Sequence, residues 1–146
     1  MADVMAVLND LVETSKDGDR GFRKAAEDAQ SAELKALFLD RADLCARGAR
    51  ELQDAIQGMG GKPGTGGSLV GTLHRGWVDV RLSIRGRTDR GILVECEKAE
   101  DVAKERYEAA LAADLPDDVR PVVKRHYDVL IRTHERIRAL RDEASS

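Results

Sequence analysis

The chain has 146 residues, of which 42% are hydrophobic, 35% charged and only 3% aromatic, and 24 basic against 27 acidic side chains leave a formal charge of −3. That length fits a single domain over residues 1–146 with a core of its own, and the interspersed, nearly balanced charge argues against nucleic acid or an anionic membrane as the main partner. Ala, Leu and Val supply most of the apolar content while alternating β-branched or aromatic runs are nearly absent, so the expected class is all-α without a sheet.

No apolar run approaches the ~20 residues that a membrane-spanning helix needs. The opening residues, MADVMAVLNDLVETSKD, carry acids within their apolar stretch and no basic leader, which predicts a cytoplasmic protein without a signal peptide. Cys45 and Cys96 fall on presumed helix faces outside any CxxC motif and fit reduced, buried thiols.

In chain order, Val4, Leu8, Leu11, Val12, Phe22, Ala25, Ala26 and Ala29 keep helical spacing from about Ala2 to Ala29. The middle of that seam, Ser15 to Asp19, is polar, and Gly18 and Gly21 each weaken a helix by about 1 kcal/mol relative to Ala. Because Phe22 and Ala26 resume the phase set by Leu8 and Val12, one continuous helix is expected. Ser31 reads as the N-cap of a second helix reaching about Gln57, with Glu33 in its first turn and a seam of Leu34, Phe38, Arg41, Cys45, Ala49, Leu52 and Ile56. The stretch Gly58–Gly67, GMGGKPGTGG, stops that helix and reads as a mobile connection within the domain.

Residues 68–85, SLVGTLHRGWVDVRLSIR, present Leu69, Leu73, Trp77 and Val80 as one stripe and predict an additional crossover helix. Thr88 or Asp89 then caps a third long helix, Ile92–Leu111, whose seam of Leu93, Cys96, Glu100, Ala103, Tyr107 and Ala110 is interrupted by a carboxylate. After a turn at Leu115 and Pro116, a last helix runs from about Asp117 to Glu143 and carries Val119, Val123, His126, Tyr127, Leu130, His134 and Ile137. Four helices of roughly 25 residues, each near 40 Å long, with a crossover between the second and third, predict an antiparallel four-helix bundle of two hairpins.

The segments LNDLVETSKDGDRGF at Leu8–Phe22, GSLVGTLHRGW at Gly67–Trp77 and ILVECEKAEDVAKERYEAAL at Ile92–Leu111 resemble a bacterial family of small proteins of unknown function grouped with the ferritin-like four-helix bundles. The resemblance spans about Val4 to Leu111. It implies a ferritin-like fold and an ancestral metal site, and supplies no established activity.

A carboxylate-bridged di-metal centre in such a bundle takes a Glu from each of two helices and a Glu-x-x-His pair from each of the others. Three residues before His126 and His134 stand Val123 and Ile131, and the second helix has no histidine, so the complete set is missing and a ferroxidase is not expected. Helix register nevertheless predicts a polar layer at mid-bundle. In one version Glu97 or Glu100, with His134 and Asp19, holds a single divalent ion, iron or zinc. In the favoured version there is no cofactor, and Glu100 is neutralised within the core by His134 or Arg41.

Other features carry blander readings. The run Arg75–Arg90 reads as a solvated basic face, His74 and Trp77 as packing of the crossover helix, Tyr107 and Tyr127 as core residues, and Glu13, Glu27 and Glu51 as solvated charges. Two functions follow: a non-catalytic structural, interaction or stress-associated module that self-associates or binds a protein partner, or a degenerate metal-binding protein or oxidoreductase using the Glu/His layer.

Overall fold

A computed structural model describes residues 4–61 and 88–144. They form four helices: α1 (Val4–Asp28), α2 (Ala32–Gly58), α3 (Asp89–Ala112) and α4 (Arg120–Glu143). Among the described residues there is no strand, and no helix is long and apolar enough to cross a membrane. The expected crossover helix at 68–85, the His74/Trp77 pair, most of the basic run and the glycine stretch from residue 62 onward lie outside the described residues.

Local chemistry sets the helix ends. α1 stays continuous through Gly18 and Gly21 because burial of Leu8, Leu11, Val12, Phe22, Ala25 and Ala26 on one face outweighs the propensity cost. At the head of α2 the Ser31 hydroxyl accepts from the Leu34 N–H at 3.3 Å. Its tail closes in a Schellman arrangement: Gly60 takes a φ of 83°, its N–H donates to Gln57 O, and the Gly61 N–H donates to Ile56 O. The Thr88 hydroxyl caps α3 by accepting from the Gly91 N–H at 3.0 Å. Arg120 closes the other end of α3, donating to the carbonyls of Leu111 and Ala113 at 2.8 and 2.7 Å. α4 starts three residues later than the sequence suggests, because Leu115 and Val119 turn inward into the core before Pro121 takes the first turn.

Cross-helix contacts fix the topology. Arg23 on α1 bonds Asp43 on α2, Glu33 and Glu51 at the two ends of α2 meet Arg136 and His126 on α4, and Asp10 on α1 lies 4.0 Å from Arg106 on α3. Asp89 accepts from the Gln30 and Ser31 N–H groups at 2.8 and 3.0 Å, tying the first turn of α3 to the α1–α2 corner. Neighbouring helices are therefore antiparallel, while α2 and α3, on a diagonal, run in the same direction. α2 ends and α3 begins at opposite ends of the bundle, so residues 59–88 join the two ends.

The core has two apolar halves. Phe22, Phe38, Ile92, Leu93, Cys96 and Ile137 fill one, and Leu8, Leu11, Leu52, Ile56, Val123 and Leu130 the other. Between them the helices place polar groups.

Candidate functional site

The polar layer follows from register. Ser15, Gly18 and Phe22 on α1, Arg41, Cys45 and Gly48 on α2, and Glu100, Ala103 and Tyr107 on α3 recur at steps of three and four, so each set shares one inward face. Glu100, only 2% exposed, accepts through Oε2 from Arg41 Nε at 3.1 Å. The Arg41 guanidinium also lies over the Phe22 ring, 5.7 Å from its centroid, where the face of the aromatic partly replaces lost water. Ser15 Oγ and Tyr107 Oη share a hydrogen bond of 3.4 Å. At Gly18 a Cβ would stand 2.7 Å from Cys45 Sγ, so α1 and α2 touch there only because glycine is present.

On the side between α2 and α4 the layer opens into a cavity of about 260 Å³. Arg41, Cys45, Glu100, Ser15 and Tyr107 line it, and Arg47, Glu51, Arg125 and His126 stand at its rim. Glu51 accepts from His126 Nε2 at 2.9 Å and is also paired with Arg125. Two buried atoms in these walls have no hydrogen-bond partner: Glu100 Oε1 and His126 Nδ1.

Burial governs the titration of these groups. It raises the Glu100 carboxyl from 4.5 to about 7, with Arg41 pulling in the opposite direction. It pushes the Cys45 thiol to about 11 and the Tyr107 phenol to about 12, and lowers His126 below its ordinary value despite the Glu51 carboxylate. Glu51 in turn is held low, first by its hydrogen bond from His126.

Of the four residues predicted as metal ligands, Glu100 alone faces this layer. Glu97 pairs with Arg141, the largely covered His134 meets Asp101 Oδ1 through Nε2 at 2.7 Å, and Asp19 bonds Arg23 at 2.6 Å. Among the described residues no group of three or more His, Cys, Asp or Glu side chains is arranged to hold a metal ion. Of the two core partners expected for Glu100, His134 or Arg41, the one that pairs with it is Arg41.

Glu51, read as a solvated charge, is bound on two sides at the cavity rim. Residue spacing places His126 on the seam of the last helix and gives it no part in the polar layer. Its sequence signal was Gly48, a mid-helix glycine on the inward face of α2 that leaves room opposite it. Asp17 and Glu95, 3% and 9% exposed, are buried acids that the apolar spacing did not mark; each sits beside a basic residue three positions on, Arg20 and Lys98.

The family model described as "Domain of unknown function (DUF2383)" matches residues 3–113. The chain belongs to that family. The DUF2383 match takes in α1, α2 and α3 and with them Ser15, Gly18, Arg41, Cys45, Glu100 and Tyr107, while α4 and His126 lie beyond it. A search of curated proteins finds no match to the chain.

Proposed function

We propose that the protein is a cytoplasmic, ferritin-like four-helix bundle acting as a non-catalytic structural or interaction module, whose interior carboxylate is neutralised by the chain's own Arg41. The Arg41–Glu100 pair carries this reading. A guanidinium is cationic at every accessible pH and cannot donate a lone pair to a metal. Fixed 3.1 Å from Glu100, it supplies the positive charge that a divalent ion would bring to such a site and repels any ion that approached. The parallel course of α2 and α3 supports the ferritin-like part, since that topology requires a connection along the bundle.

The two thiols and the buried phenol support the non-catalytic part. Cys45 and Cys96 are both raised by burial, and Tyr107 with them, so none is a nucleophile or base near neutral pH. Metal analysis of protein purified without chelator tests the proposal. The expected result is less than stoichiometric metal in wild type, Glu100→Gln and His134→Ala alike. Stoichiometric iron or zinc in the wild type, lost in both variants, would instead establish a degenerate metal-binding protein. Solution mass then decides whether the module self-associates.

A further inference from the structure

We propose that the cavity between α2 and α4 binds a neutral small molecule carrying a hydroxyl or amide N–H donor on an apolar body. At about 260 Å³ it has room for a substituted ring, since an apolar cavity of about 150 Å³ can hold benzene. Much of its wall is hydrocarbon, from Phe22, Leu44, Ala99, Ala103 and Val129. An apolar guest buried against these residues gains the usual hydrophobic free energy.

The head group is set by the unpartnered atoms. Glu51 is an ionised carboxylate and can only accept, so His126 Nε2 carries the hydrogen of their 2.9 Å contact. With the imidazole neutral, Nδ1 is a bare lone pair, buried without a partner and 3.5 Å from where a Gly48 Cβ would sit. Glu100 Oε1 is a second buried acceptor without a partner. Two residues that line one cavity thus each carry a buried acceptor without a partner, and a hydrogen-bond donor on the guest is the group that would satisfy either of them.

The charges restrict the class further. Arg41 is already paired with Glu100 and Arg125 with Glu51, so a charged guest would give up its hydration without a counter-ion of its own among these groups and would disturb one of the two pairs. A neutral donor avoids both penalties. Because Gly48 presents no side chain, the opening between α2 and α4 stays clear to the layer.

Phenol, toluene, benzoate and benzylammonium are suitable probes, titrated at low-millimolar concentration into the full chain at about pH 8, where Glu100 is ionised. Amide chemical shifts at Gly48, Ala103 and His126 report the site. Phenol is expected to bind saturably and about tenfold more tightly than toluene, the value of one hydrogen bond from its hydroxyl to a buried acceptor. Benzoate and benzylammonium are expected to bind more weakly than phenol.

His126→Phe keeps the ring and deletes Nδ1, so the preference for phenol over toluene should shrink severalfold. Gly48→Ala narrows the cavity without a clash, and should weaken every probe while leaving the protein folded. The proposal is overturned if phenol gives no saturable shift in the wild type, if toluene or either ion binds as tightly, or if Gly48→Ala leaves phenol affinity unchanged.

Discussion

Gly18 and Gly48 both face the polar layer from the middle of a helix, and they serve opposite ends. At Gly18 the missing side chain lets α1 close on α2, since a Cβ would press on Cys45 Sγ at 2.7 Å. At Gly48 it leaves α2 apart from α4, since a Cβ would meet His126 at an ordinary 3.5 Å and Ser15 at 3.9 Å. One glycine permits contact and the other maintains space. Glu100 and Arg41 lie between these two seams and serve as floor to both. The bundle is thus tightly built on its α1–α2 side and open on its α2–α4 side, with a charge pair at the boundary.

The strongest way to break that arrangement is to remove the cation. Arg41→Met leaves Glu100 buried without its partner and should destabilise the fold by about 3–5 kcal/mol at about pH 8, measured by chemical denaturation. The loss should be smaller in acid, where Glu100 takes up a proton. Glu100→Gln combined with Arg41→Met should recover much of it, because no lone charge then remains inside.

Next comes pH. The native Glu100 carboxyl titrates at about 7 against 4.5 in the unfolded chain, so between those values the native state holds a proton that the unfolded state has released. Stability from this group is complete below 4.5, falls as pH rises through that window, and is lost above 7, by on the order of 3 kcal/mol at most. His126, lowered by burial, contributes with the opposite sign as pH rises toward 6.5. The difference between wild type and Glu100→Gln across this range isolates the Glu100 slope, and parallel curves would refute it.

The two glycines give smaller effects of opposite sign. Gly18→Ala should cost about 1–2 kcal/mol, its gain in helix propensity being overcome by the clash with Cys45, and Cys45→Ala in the same chain should relieve most of that cost. Gly48→Ala should stabilise by up to about 1 kcal/mol, because propensity improves and the new methyl fits. Thermal melts of the four proteins sharpen the contrast. If both glycine variants moved stability in the same direction, the closed and open seams would not differ as described.

Much of this architecture was legible in residue spacing. The seams of α1, α2 and α3 predict helices within a few residues, Ser31 announces its own cap, the choice of Thr88 or Asp89 for α3 falls to Thr88, and the 3–4 spacing that places Glu100 among Leu93, Cys96 and Tyr107 marks it as buried. Arg41 as its counter-charge was one of two partners that register allowed, and it is the one present. The other expected partners went astray for a common reason. Glu97, His134 and Asp19 sit one turn or less from inward positions, and in each case a charged neighbour that lies closer, Arg141, Asp101 or Arg23, takes up the hydrogen bond. Spacing gives height along the bundle, but a rotation of a few tens of degrees decides between core and surface.

The sequence by itself determined the helices, their caps and the presence of a carboxylate in an apolar seam, because these depend on neighbours within four or five residues. Only the tertiary structure decided that Arg41 takes up Glu100, that Gly18 closes one seam while Gly48 leaves another open, and that His126 and Glu100, each with an unpartnered buried atom, line one cavity. Those outcomes depend on how far apart two helices settle and how each turns about its axis. Both are set by the packing of side chains remote from one another in the chain.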